Sequence, residues 1–172
     1  MNRPDRHSRT RTLLMVAATA TITLSSGCAD DSTPTPVTSS RQAEVAERGA
    51  SVMPFDLERT THQFTKRGSG GVQTVTADDP QDANQVALIQ QHLNAETSRF
   101  RRGDFTDPAA IHGNQMPGLQ ALRAHAGRIT IDYETTPDGG RVTYTTSDTE
   151  LRNALHHWFD AQVSDHGEHA TG

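Results

Sequence analysis

Apolar and polar residues alternate along the second half of the chain. Ile129, Ile131 and Tyr133 stand against Thr130, Asp132 and Glu134, and Val142 and Tyr144 resume the alternation after Pro137-Asp138-Gly139-Gly140. A period of two predicts strands with one buried face, and the Pro-Asp-Gly-Gly run supplies the turn between them. At Ser147 the period changes. Ser147-Asp148-Thr149-Glu150 resembles a capping box, and Leu151, Leu155, Trp158, Phe159 and Gln162 follow at helical spacing.

The first half reads the same way. Thr60–Lys66 and Val72–Ala77 read as strands around a Gly-rich turn. Asp79-Pro80 starts a helix, with Asp79 as cap and Pro80 in a first turn that needs no N–H bond. The apolar stripe of that helix is Val86, Ile89, Leu93 and Phe100. Between the halves lie a long loop, Gly103–Gly118, and a short helix, Leu119–Ala126, stopped by Gly127.

The halves align. At a shift of 69 residues Phe64 falls on Tyr133, Gly70-Gly71 on Gly139-Gly140 and Asp79 on Asp148. After a three-residue deletion Ile89 falls on Leu155 and Leu93 on Phe159. The expected fold is α+β: a duplicated β-β-α unit forming a four-stranded antiparallel sheet with helices on one face. An extended sheet edge also offers a surface to a protein partner or a second copy.

The chain before the domain has a different character. Arg3, Arg6, Arg9 and Arg11 precede an apolar stretch from Leu13 to Leu24, and the run Leu24-Ser25-Ser26-Gly27-Cys28 ends in the only cysteine. Basic start, apolar centre and small residues form an export signal. The apolar stretch is shorter than the roughly 20 residues that cross a bilayer. A cysteine directly after such a stretch is the position lipidated in bacterial lipoproteins, and acylation explains why a lone thiol is tolerated in an oxidising compartment. No paired-arginine signature is present, which points to the general export route. The expectation is a signal peptide over 1–27, lipidation of Cys28, a disordered tether over 28–50 rich in Thr, Ser, Pro, Asp and Ala, and a single domain over 51–172 held at the extracytoplasmic face of the cell membrane.

Charge narrows the partners. Loss of residues 1–27 removes four Arg and one Asp, leaving 12 basic and 20 acidic residues and a net charge of −8. Such a surface repels nucleic acid, and no basic cluster contradicts this.

The candidate chemistry is histidine chemistry. Nine histidines occur in the chain, and only His7 lies in the signal. His62 falls on Ile131 in the repeat and His92 on Trp158, so both occupy positions that are apolar in the other half. His112 lies in the 103–118 loop beside Met116, and long loops often carry function. His156 and Asp160 share a helix face at a spacing of four residues, and His166 follows at the end of that helix. Imidazole with carboxylate suits Zn(II) or Cu(II), giving two candidate metal groups: His62, His92 and His112, and His156, Asp160 and His166. Neither the HExxH spacing nor a paired-Cys motif is present. No serine has a G-x-S-x-G setting, and Gly68-Ser69-Gly70-Gly71 lacks the helix start of a phosphate loop.

The segments Met53-Pro54-Phe55-Asp56-Leu57, Thr60-Thr61-His62, Asp107-Pro108-Ala109-Ala110-Ile111-His112-Gly113, Met116-Pro117-Gly118-Leu119 and Trp158-Phe159-Asp160-Ala161-Gln162 resemble a family of small, mostly exported, uncharacterised bacterial proteins, some bearing the name aspartate carbamoyltransferase. That enzyme binds carbamoyl phosphate through an S-T-R-T loop, which this chain lacks, so the resemblance brings no catalytic residues with it. The leading expectation is a tethered binding domain for a transition-metal ion. Its rivals are a metal-free interaction module of the cell envelope and an enzyme built from His112, Asp104, Asp107 and the C-terminal histidines. Converging imidazole nitrogens would favour the metal. Scattered, solvent-facing histidines would favour the interaction module. A concave pocket joining the 103–118 loop to the C-terminal helix would favour the enzyme.

Overall fold

The structure is a computed structural model and describes residues 40–172. Signal, Cys28 and the first part of the expected tether lie outside the described residues. The order of elements is α1 (Ser40–Val52), β1 (Thr60–Arg67), β2 (Gly70–Ala77), α2 (Ala83–Phe100), α3 (Thr106–His112), α4 (Leu119–Ala124), β3 (Thr130–Thr136), β4 (Gly139–Thr145), α5 (Thr149–His166) and β5 (Ala170–Thr171). This is an α+β architecture with a five-stranded mixed sheet in the order β3-β4-β2-β1-β5.

The expected alternation places the core. On β1, Thr60, His62 and Phe64 are buried while Thr61, Gln63 and Thr65 are exposed. On β3, Ile131 is buried between exposed Thr130 and Asp132. Helices α2 and α5 lie over these inward residues. Phe64, Val75, Ile89, Leu93, Phe100, Val142, Tyr144, Leu155, Trp158 and Phe159 form one buried cluster.

Two pairs of glycines set the depth of this packing. A Cβ on Gly71 would sit 2.5 Å from the ring of Phe159, and a Cβ on Gly140 would sit 2.9 Å from a methyl of Leu93. Gly139 and Gly140 lie in β4, opposite Thr76 and Val75 of β2. Gly140 serves the close approach of α2 and Gly139 that of the β2 backbone at Val75, while the turn is made by Pro137-Asp138. Phe159 of α5 thus rests on the first hairpin and Leu93 of α2 on the second, so each helix covers the hairpin of the other half.

Several expectations need correction. The sheet is not a four-stranded antiparallel one: β5 pairs parallel with β1 through His62–Ala170 and Gln63–Thr171. The chain reverses at Gly167, with φ 58°, and lays its last residues along β1. A two-residue strand has no periodicity to read. The tether also ends sooner than expected, because Ser40–Val52 is helical and buries Val45 and Gly49. One valine among polar residues carries little hydrophobic signal; the docking is polar and comes from Arg41. The Gly103–Gly118 loop contains α3. Both long helices start away from the expected caps. Asp82, not Asp79, accepts from the N–H of Gln85, and Asp148, not Ser147, accepts from those of Glu150 and Leu151. Asp79-Pro80 instead forms a turn in which the Asp79 carboxylate accepts from Gln81.

Candidate functional site

The sheet and helices line a partly open cavity of about 50 Å³, formed by residues of β1, β2, β4, α2, α3 and α5. That is about a third of the roughly 150 Å³ that takes benzene, and is room for a few waters. The site joins the segment that follows Gly103 to the C-terminal helix. His112 and Ile111 come from α3, Trp158, Gln162 and His166 from α5, His62 from β1, and His92 and Glu96 from α2.

Four histidines therefore meet at one cavity. His166 stands between two others, with ring centres 5.0 Å from His62 and 5.1 Å from His112. His92 lies beyond Phe55, whose ring centre is 5.5 Å from that of His92 and 6.4 Å from that of His62. The first candidate group, His62, His92 and His112, does share one cavity. The second is not assembled. His156 Nε2 donates to the carbonyl of Gly70 at 2.8 Å, and Asp160 pairs with Lys66 at the surface; only His166 reaches the cavity. Among the described residues no three His, Cys, Asp or Glu side chains are placed to hold one metal ion.

Burial decides the charge state of this cluster. His62 is 6 % exposed, and desolvation, with repulsion from His92, His112 and His169, lowers it to about 4. Desolvation and repulsion from His62 and His112 lower His166 to about 2, against the pull of Asp165. Both rings are neutral at pH 7. Glu96 is held above the usual carboxylate range, first by burial and then by the nearby Asp107, with Arg99 opposing.

One ion-pair network holds the wall formed by α3 and α5. Nδ1 of His112 meets Asp165 Oδ2 at 2.8 Å. Arg41 of α1 grips both Asp165 oxygens, at 2.9 and 2.6 Å, and donates to the His112 carbonyl at 2.7 Å. Burial alone would raise Asp165; the hydrogen bonds from His112 and Arg41 outweigh it and bring the carboxyl down to about 2. Asp104 and Asp107, counted toward an enzyme site, do other work. Asp104 accepts from the N–H and hydroxyl of Thr106 at the start of α3, and Asp107 pairs with Arg99.

Two buried polar atoms beside this cavity have no protein partner: Nε2 of His62 and Nε1 of Trp158. Glu96, Asp165 and Trp158 were not picked out by motif, yet a signal existed. Val86, Ile89, Leu93, Glu96 and Phe100 form one stripe, and Leu151, Leu155, Trp158, Gln162 and Asp165 form another. A carboxylate in an apolar stripe is an inward carboxylate. Comparison with family models, curated proteins and solved structures gives no match.

Proposed function

We propose that this chain is a lipid-anchored, extracytoplasmic binding domain that encloses a small, uncharged molecule in its histidine-lined cavity. The observation that carries this is the pair of unpartnered groups, His62 Nε2 and Trp158 Nε1, at the wall of an internal space. Each buried polar group left unpaired costs about 1–3 kcal/mol, so a fold retains two of them where something else completes the bonds. Among the described residues no Lys or Arg lines the cavity, which disfavours anionic ligands, carbamoyl phosphate included.

Binding should appear as stabilisation. A ligand at about 100 times its Kd adds about 2.7 kcal/mol, read as a rise in Tm across a panel of small uncharged carbonyl compounds, phenols and amides. Trp158→Phe and His62→Phe should each remove most of that rise. A panel that leaves Tm unmoved counts against the reading. Zn(II) or Cu(II) is the second reading, favoured by the rings of His62, His166 and His112 standing side by side. It requires side-chain rotation for the nitrogens to converge. A stoichiometric rise in Tm with Zn(II) or Cu(II), and none with the organic panel, would replace the first reading by the second.

Anchoring is a separate expectation, resting on the position of Cys28 after the apolar stretch. Cys28→Ser should move the protein out of the membrane fraction or block removal of the signal. Unchanged attachment and processing would refute it.

A further inference from the structure

The cavity wall carries the parts of a proton-transfer site. Asp165 is an ionised carboxylate and can only accept, so the proton in its 2.8 Å contact with His112 sits on Nδ1. In a neutral ring the other nitrogen, Nε2, then holds a lone pair. Nε2 makes no hydrogen bond among the described residues, and His112 lines the cavity. Arg41 fixes Asp165 through both of its oxygens, so the ring is oriented from behind. A base needs these things: a fixed tautomer, a free lone pair and a counter-charge for the imidazolium it becomes.

The same cavity offers acids where a base needs them. Trp158 is 1 % exposed and its N–H has no partner, so it is a donor with nothing to donate to. Glu96 lines the cavity too, and burial with Asp107 beside it favours its protonated form. Among the described residues the lining contains no Ser, Thr, Cys or Lys, so these supply no hydroxyl, thiol or amine for a covalent intermediate. Nor do they place a Lys or Arg cation there for an anionic substrate. A cavity of about 50 Å³ is about a third of the roughly 150 Å³ that takes benzene, so the reacting carbonyl and its neighbouring carbon lie inside and the rest of the substrate lies in the open mouth.

We infer that the cavity tautomerises a small uncharged carbonyl compound, with His112 as the base and the Trp158 N–H as the donor to the enolate oxygen. The inference rests on the binding reading above. His112 Nε2 takes a proton from the carbon next to the carbonyl. The C–H electron pair becomes the C=C bond, and the carbonyl π pair moves onto oxygen, where Trp158 and Glu96 meet the charge. Asp165 stays ionised and balances the imidazolium. Return of the proton to the same carbon exchanges it; return to the far end of a conjugated enolate moves the double bond. Atoms and electrons balance with no oxidant, reductant or co-reactant.

Pentane-2,4-dione is a probe of the right size and polarity, and its methylene exchange with D2O is followed by NMR. The protein should accelerate exchange at least about 100-fold over buffer, saturably in the dione. His112→Gln, whose amide can still donate to Asp165, should return the rate to that of buffer. Trp158→Phe should weaken dione binding, as above, and should also lower the rate at saturating dione about tenfold or more. Asp165 is a positioning residue, so Asp165→Asn should shift the midpoint of the pH–rate profile as well as lower the rate. Folding of each variant is checked by circular dichroism. If His112→Gln does not fold, Trp158→Phe decides, and an unchanged rate in it overturns the inference. Dione binding without exchange above buffer, or full exchange in folded His112→Gln, overturns the proton-transfer role and leaves the binding reading standing. No binding of the dione or of any uncharged molecule in the panel overturns both.

Discussion

Stability should fall steeply as the pH drops from about 6.5 toward 4.5, with the urea midpoint decreasing throughout. His62 ordinarily titrates near 6.5 and is lowered to about 4 in the fold. Between those values the unfolded chain binds a proton that the folded chain refuses, so acid favours unfolding. At about 1.4 kcal/mol per unit the full swing for His62 is on the order of 3 kcal/mol. His166, lowered to about 2, acts with the same sign, although the repulsion between the two rings counts only once. His92 is lowered by burial as well. Glu96 acts in the opposite sense. Its pKa is raised, so the folded state holds a proton that the unfolded state has lost, and acidification relieves that cost. Two buried imidazoles against one carboxyl leave a net uptake of about one proton on unfolding, or a slope of about 1.4 kcal/mol per pH unit. Asp165, lowered to about 2, adds a further loss only below about pH 4. Urea titrations from pH 7.5 to 4.5 measure the slope. His62→Phe, set among Phe55 and Phe64, should flatten it by about one proton. A flat wild-type profile would show that these rings are not neutral and buried together.

The parts of this molecule that were legible in its sequence are those with a repeating pattern. Ile129, Ile131 and Tyr133 announce a strand by alternation, and Leu151, Leu155, Trp158 and Phe159 announce a helix by their spacing. The α+β class follows from the order of such segments. What stayed hidden is set by single contacts without a period. Helix α1 has one buried valine, and its docking depends on Arg41 reaching Asp165 across 124 positions of sequence. Strand β5 exists because two residues happen to lie beside β1. Asp82 and Asp148 took the caps from Asp79 and Ser147, since the several polar residues near each helix start are interchangeable until the backbone selects one.

The site divides in the same way. His62 was read as inward because the repeat set it on Ile131, and it is buried. His112 was read from the character of its segment and proves to be the best-supported ring in the cavity. The metal groupings failed at His156 and Asp160 because four-residue spacing puts side chains on one face without saying which way that face looks. Here it looks outward, to Lys66 and to the rim carbonyl of Gly70. The Asp165–His112 pair is out of reach of any local motif: its members are 53 residues apart, and α1, packed on both α3 and α5, brings them together.

The close approach of α4 to α5 makes Gly118 a position where one added methyl group should do great harm. Gly118 precedes α4 with φ +78°, and a Cβ there would lie 2.0 Å from the carbonyl oxygen of Ala154 and 3.1 Å from Cβ of Trp158. The left-handed conformation alone costs an L-residue about 1–2 kcal/mol. The overlap is with backbone of α5, which cannot rotate aside, so α4 must lift from α5. Overpacking of this kind adds about 1–3 kcal/mol. Gly118→Ala should therefore lose about 4 kcal/mol in urea unfolding at pH 7.5. Gly113→Ala is the internal control. Its φ of +88° and ψ of 154° lie in a region kept essentially to glycine, but a Cβ there meets nothing within 4 Å, so it should lose only the conformational part, about 1–3 kcal/mol. The excess loss at Gly118 then reports the contact with α5, since the control already carries the full cost of its backbone conformation. The same displacement pushes on Trp158, whose N–H faces the cavity in the binding reading. Gly118→Ala should thus lose ligand-induced stabilisation where Gly113→Ala keeps it, measured as the Tm rise with a saturating organic ligand. Equal losses in the two variants would mean that α4 yields freely, and that the wall carrying Trp158 is softer than the close approach at Gly118 requires.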